Sequence, residues 1–285
     1  MASIGTSIKD LIRSLLKLTR FGNLLIIALA QYFTARFLVG PETLDDIHLF
    51  LLTVSTMMIA AAGYVINDYY DVKIDYINRP DRVVIGKSIP RRYAILFHVL
   101  LSGMGVLIGL YLSFGMAAVN ALSVFLLWIY SNSLKRLPFV GNFTVAVLTG
   151  LSIYIIEVWY RTGGALIIIY ASFAFFMTLV REIIKDMEDL KGDNTFGCKT
   201  LPIVWGLRRT KFLIYFILAV FAVAVVILNH FFKALPLAYY VIFLFIPLLL
   251  MLYRLIRADT KKDFSVLSSF CKVIMLLGIL SMVLI

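Results

Sequence analysis

Three aspartates and an asparagine fall within nine residues, NDYYDVKID at 67–75, where a strongly apolar run ends. A helix advances about 100° per residue, so Asn67, Asp71 and Asp75 drift only roughly 80° over two turns, and Asp68 falls near the same arc. All four polar groups can therefore face one cavity. A carboxylate facing lipid costs on the order of 2.5–3.5 kcal/mol at the bilayer centre, and like charges repel, so something cationic must compensate. A second stretch, REIIKDMEDLKGD at 181–193, closes another apolar run and places Asp186, Asp189 and Asp193 within about 60° of arc.

Carboxylates at this spacing on two opposed helices, with asparagine as a neutral oxygen ligand, make the hard oxygen-rich sites that Mg²⁺ occupies while sharing phosphate oxygens. Two such ions would bind a diphosphate. The metal would neutralise the charge that develops on a departing diphosphate, while Lys185, Lys135, Arg79 and Arg82 can donate to its non-bridging oxygens. If the other end is an allylic isoprenoid, departure leaves a carbocation, which the faces of Tyr or Phe stabilise.

The elements that must position these groups are membrane helices. The chain has 285 residues, 62% of them hydrophobic and only 15% charged, and its mean hydropathy is +0.96, outside the range of an ordinary soluble domain. Runs long enough to cross a hydrocarbon core, about 20 residues each, occur near 21–39, 47–66, 93–113, 115–131, 141–159, 165–181, 212–230, 236–254 and 265–285. The expected fold is thus all-α, a polytopic membrane protein with nine transmembrane helices around a central cavity. It reads as one transmembrane domain over 1–285.

Lys and Arg mark the cytoplasmic side. They concentrate in the N-terminal segment, at 73–92, at Lys135 and Arg136, between Arg181 and Lys211, and at 254–262; the alternate connections hold little beyond Arg161 and Lys233. This predicts a cytoplasmic N-terminus and cytoplasmic active-site loops, in a cell (plasma) membrane. Residues 1–20 read as an interfacial amphipathic helix, with Lys9, Arg13 and Lys17 four apart beside Ile8, Ile12, Leu15 and Leu16. The net charge of +11 is explained by these loops, and no aromatic or zinc-binding framework for nucleic acid surrounds them. The two cysteines are too few for a disulfide framework, and the three histidines have no ligand spacing.

Shifting the sequence by 118 residues superposes Asp68, Asp71, Lys73 and Asp75 on Asp186, Asp189, Lys191 and Asp193, with KSIPRR and KTLPIVWGLRR as similar exits. An internal pseudo-repeat, with its acidic motifs at 67–75 and 185–193, would bring two equivalent helix ends to one site. An ion-coupled transporter also uses such repeats, but here the acids lie at helix ends beside basic loops, and no Gly/Pro-broken helix occurs in both halves.

NDYYDVKID resembles the N-D-x-x-D-x-x-x-D signature of the UbiA superfamily of intramembrane prenyltransferases, and KDMEDLKGD is similar to its second aspartate-rich motif. YSNSLKRLPFVGN at 130–142 and TRFGN at 19–23 extend the likeness to four motifs. The resemblance implies Mg²⁺-dependent transfer of a polyprenyl group from its diphosphate to an acceptor in the membrane. By that resemblance Asn67, Asp71 and Asp75 would hold one ion and Asp189 and Asp193 the other, with Asp68 and Asp186 binding metal or tuning their neighbours. Asp71, Asp189 and Lys185 would be the catalytic residues, Lys185 and Lys135 contacting diphosphate. Arg20, Asn23, Tyr130, Asn142 and Arg181 are candidates for the acceptor or the cavity.

Among the branches, the motifs are most similar to the geranylgeranylglycerol-phosphate geranylgeranyltransferases of ether-lipid synthesis, whose acceptor is a hydroxyl on a phosphoglycerol lipid. That acceptor's phosphate would need a basic residue, for which Arg181, Arg79 and Lys87 are available. An aromatic acceptor of the 4-hydroxybenzoate or chlorophyll type is the alternative. Against it, Arg181 stands where several aromatic prenyltransferases have tyrosine.

Overall fold

The computed structural model describes residues 8–232 and 236–285. Residues 1–7 of the expected interfacial segment, and Lys233, lie outside the described residues. Among the described residues there are nine helices long and apolar enough to cross a membrane, from Phe21–Val39 to Lys261–Leu284, and no named strand. The chain divides into two compact units, residues 1–28 with 47–134, and 29–46 with 135–285.

The first unit contains α1 (Ile8–Leu18), the start of α2 (Phe21–Phe33), α3 (Ile47–Asn78), α4 (Arg91–Leu112) and α5 (Phe114–Asn132). α3 packs on α4 and α5, and α4 on α5. Apolar burial alone does not hold membrane helices together, so polar pairs matter where they occur. Here Asn120 Nδ2 donates to Ser55 Oγ at 2.6 Å and to the Gly105 carbonyl at 2.9 Å, joining α5, α3 and α4. α3 stops where Pro80 disfavours helical geometry at the residue before it; Arg79 has φ −148°. The connection to α4 is then anchored by Val84, Ile85 and Ile89, buried with Leu18 of α1, Val65 of α3 and Ala94 of α4. On α1, Leu11, Ile12 and Leu16 stay exposed while Leu18 is fully buried.

The second unit holds the remainder of α2, which widens into a π-helical turn at Thr34–Val39, then α6 (Val140–Tyr160) and α7 (Ala165–Thr195). It continues with α8 (Leu201–Phe232), α9 (Leu237–Tyr240), α10 (Ile246–Arg257) and α11 (Lys261–Ser281). α7 lies against α6, α8 and α11. Its Met177, Val180, Ile183 and Ile184 join Phe221 of α8 and Cys271 and Ile274 of α11 in one core.

The helices carrying the acidic motifs outlast the apolar spans expected to end near 66 and 181, as the helical spacing of the acids requires. Both acidic stretches continue their apolar helices without a break, α3 running 32 residues and α7 31. The interval from Arg181 to Lys211, expected as a long basic loop, is therefore helical up to Thr195 and again from Leu201. Hydropathy locates where a helix leaves the membrane; backbone breakers decide where it ends. In α7 that end comes at Gly197, whose left-handed φ of 70° lets Cys198 N–H return to the Asp193 carbonyl at 2.9 Å.

Candidate active site

In the first unit, Asn67, Asp68, Asp71 and Asp75 lie on the last three turns of α3, all partly buried. Arg20, just past the end of α1, adopts a left-handed φ of 50°. From there its Nη2 donates to Asp68 Oδ1 at 2.7 Å, with side chains 34% and 16% exposed. The guanidinium also lies over the Tyr64 ring at 4.8 Å, and Asn23 Nδ2 donates to the Tyr64 hydroxyl at 3.3 Å. Both candidates from the TRFGN segment thus meet α3, Arg20 at the acidic motif and Asn23 at Tyr64 just before it. One turn further, the Arg91 guanidinium covers Tyr69 at 4.5 Å from the ring centroid, a contact that sequence spacing does not signal. Lys17 donates to the Asp81 carbonyl and Lys87 to that of Pro80, which pins the turn carrying Arg79 and Arg82 (Pro80–Arg82). Tyr130 is half-buried near the end of α5.

In the second unit, Arg181, Lys185, Asp189 and Asp193 recur at intervals of four along α7 and so form one stripe, two cations followed by two anions. Beside it, Asn142 of α6 donates from Nδ2 to Asp186 Oδ2 at 2.9 Å. Lys185 Nζ donates to Glu182 Oε2 at 3.0 Å, and Arg181 Nη1 to Glu182 Oε1 at 2.5 Å. Glu182 is 7% exposed. Sequence reasoning passed over it because it stands outside the aspartate spacing; a lone acid between two cations was the available signal. Lys135 sits in the short turn Leu134–Arg136, whose Arg136 carbonyl accepts from the backbone N–H of Lys199 at 2.7 Å.

A Mg²⁺ ion is compatible with this donor set. Asn67 Oδ1 is buried and accepts no hydrogen bond among the described residues, and a buried acceptor without a partner is costly unless a ligand engages it. No group of three His, Cys, Asp or Glu side chains that could hold a metal ion occurs among the described residues. Mg²⁺ takes one or two carboxylates and completes its shell with water and substrate phosphate.

Residues 26–277 match the family described as the UbiA prenyltransferase family. The chain belongs to this family. It is 31% identical over 253 residues to the digeranylgeranylglyceryl phosphate synthase of Sulfurisphaera tokodaii, covering 88% of this chain and 90% of that one. To the synthase of the same name from Thermococcus sibiricus it is 40% identical over 151 residues, which is 52% of this chain and about half, 53%, of the relative. A solved structure concerning digeranylgeranylglyceryl phosphate synthase in membranes superposes with a TM-score of 0.70 at 25% identity, covering 96% of this chain and 97% of that one. A UbiA homologue from Archaeoglobus fulgidus, solved with DMAPP and Mg²⁺, shares the fold at a TM-score of 0.63 and 17% identity, covering 95% of this chain and all of that one. This UbiA-family chain is accordingly an all-helical integral membrane protein.

Proposed function

We propose that this chain transfers a geranylgeranyl group from its diphosphate to the free hydroxyl of geranylgeranylglycerol phosphate, in ether-lipid synthesis. The observation that carries the reading is the match, along nearly the whole chain, to a relative named digeranylgeranylglyceryl phosphate synthase. The stripe of Arg181, Lys185, Asp189 and Asp193 on α7 supports it. Asn67, Asp71 and Asp75 on α3, and Asp189 and Asp193 on α7, would hold two Mg²⁺ ions, Asp71, Asp189 and Lys185 being the catalytic residues. Bound Mg²⁺ supplies charge neutralisation for the leaving diphosphate.

The chain's own residues do the rest. Lys185 donates to the non-bridging oxygens of the diphosphate, with Lys135, Arg79 and Arg82 as further donors, and a cation there is worth more at the membrane boundary than in bulk water. Asp68 is held by Arg20 and Asp186 by Asn142, so these acids orient their neighbours on α3 and α7. Arg181 serves the acceptor's phosphate in preference to an aromatic ring. The basic segments face the cytoplasm of a plasma membrane, and the apolar face of α1 lies in its inner surface.

Purified protein in lipid nanodiscs with geranylgeranyl diphosphate and Mg²⁺ tests this, with geranylgeranylglycerol phosphate and 4-hydroxybenzoate competing as acceptors. The expected result is EDTA-sensitive diphosphate release that depends on the lipid acceptor. Preference for the aromatic acid would overturn the acceptor, and no acceptor-dependent release would overturn the transferase reading.

A further inference from the structure

Glu182 is the most enclosed acid on the C-terminal half of α7, 7% exposed and followed by Ile183 and Ile184, both fully buried. An isolated carboxylate there would be strongly disfavoured. Its two oxygens are each taken by a different cation, Oε1 by Arg181 at 2.5 Å and Oε2 by Lys185 at 3.0 Å. Arg181 and Lys185 stand one turn apart on the same face of α7, where two like charges would push each other away. Glu182 cancels that repulsion and fixes both side chains at once.

We infer that Glu182 is a positioning residue that presets Lys185 for the donor's diphosphate, an inference that rests on the transferase reading above. A lysine stem is long and rotamer-rich, and a flexible ammonium loses much of that freedom when it closes on a phosphate. Held at 3.0 Å by Glu182, Lys185 has already given up part of it. An ammonium has three N–H donors; Glu182 takes one, which leaves two for phosphate oxygens. Arg181 contributes by anchoring the far oxygen of the same carboxylate, so that Glu182 cannot swing out with Lys185. The trio keeps a net charge of +1, which favours an anion beside it.

The test is a double-mutant cycle of Glu182→Gln and Lys185→Ala, measured on the purified full chain as KM for geranylgeranyl diphosphate. Glu182→Gln is expected to raise the donor KM roughly 10- to 100-fold, the range set by a charge-assisted hydrogen bond. In the Lys185→Ala background it is expected to leave the donor KM unchanged, because the residue it acts through is gone. A purely structural role predicts the opposite pattern, with penalties that multiply. An unchanged donor KM, or multiplying penalties, overturns the inference while leaving the transferase reading intact. Should Glu182→Gln fold poorly, Glu182→Asp keeps the charge with one methylene less reach, and the same cycle with it decides. A wild-type chain that releases no diphosphate in any acceptor's presence takes down both.

Discussion

Asn142 on α6 and Asp186 on α7 are joined by a hydrogen bond of 2.9 Å from the asparagine amide. Asn142 is 6% exposed, so its amide needs a partner, and Asp186 gains a fixed orientation on the helix that also carries Asp189 and Asp193. Replacing Asn142 with Ala frees Asp186 to rotate and is expected to lower turnover about tenfold, in line with the loss of one hydrogen bond to a charged group. Asn142→Asp sets two carboxylates against each other and is expected to be worse than Ala. Diphosphate release at saturating substrates reads both; equal rates in wild type and Asn142→Ala would separate Asp186 from turnover.

Arg20 makes a comparable tie in the other unit. Burial works against its cation, yet the charge of Asp68, with Tyr64 and Asp75 further away, more than offsets this and holds the guanidinium above the ordinary arginine range. Removing it in Arg20→Ala leaves Asp68, only 16% exposed, without its counter-ion. Because Arg20 is itself about a third exposed, solvent screening limits the cost, and a loss of about 1–2 kcal/mol is expected, seen as a lowered thermal midpoint. Arg20→Lys keeps the charge and is expected to recover part of it, though not the guanidinium's contact with the Tyr64 ring. A midpoint unchanged in Arg20→Ala would show that the pair contributes nothing to the fold.

Much of this arrangement is legible in the residues. Apolar runs locate the spans because backbone polar groups in lipid must be satisfied within a helix, and the expected start at 47 coincides with Ile47 of α3, as that at 165 does with Ala165 of α7. The acids on α3 and α7 announce themselves by being charged where lipid would exclude them. What spacing cannot display is partnership across elements. Arg20 is 48 residues from Asp68 and Asn142 is 44 from Asp186, so which asparagine or arginine meets which acid depends on packing. Glu182 stayed hidden for a related reason: it stands outside the aspartate spacing, and in sequence its two cations are already given to phosphates. The helical stretch 201–205 likewise reads as loop in the sequence, since its apolar content is too short to register as a span.

The carboxylates proposed as metal ligands give the largest expected losses. Asp71→Asn and Asp189→Asn keep shape and hydrogen-bonding capacity but remove the charge that a hard divalent cation needs. Each is expected to lower turnover about a thousandfold, roughly 4 kcal/mol of transition-state stabilisation, and to raise the Mg²⁺ concentration for half-maximal rate. Asn67→Asp is expected to bind Mg²⁺ more tightly, because it adds a charge at the position whose buried Oδ1 has no hydrogen-bond partner among the described residues. Mg²⁺ titrations of membrane-inserted protein check all three. A variant at Asp71 or Asp189 with near-normal turnover and metal dependence would remove that residue from the proposed metal set.

The last expectation concerns the backbone. α8 is interrupted at Gly206, with φ 77° and ψ 161°, a region of conformational space essentially restricted to glycine. The break redirects the chain between the short helical stretch beginning at Leu201 and the remainder of the helix, where the Thr210 hydroxyl donates back to the Gly206 carbonyl at 2.9 Å. A methyl group at Gly206 meets nothing within 4 Å, so any cost of Gly206→Ala is backbone strain and not crowding. That cost is about 1–3 kcal/mol, enough to lower the thermal midpoint. Gly22 supplies the control. A methyl there also meets nothing within 4 Å, but Gly22 is the second residue of α2, where alanine is favoured over glycine, though by less than the roughly 0.8–1 kcal/mol of a helix interior. The two Ala variants should therefore shift the midpoint in opposite directions. Equal shifts would mean that the kink at Gly206 is not required by the folded chain.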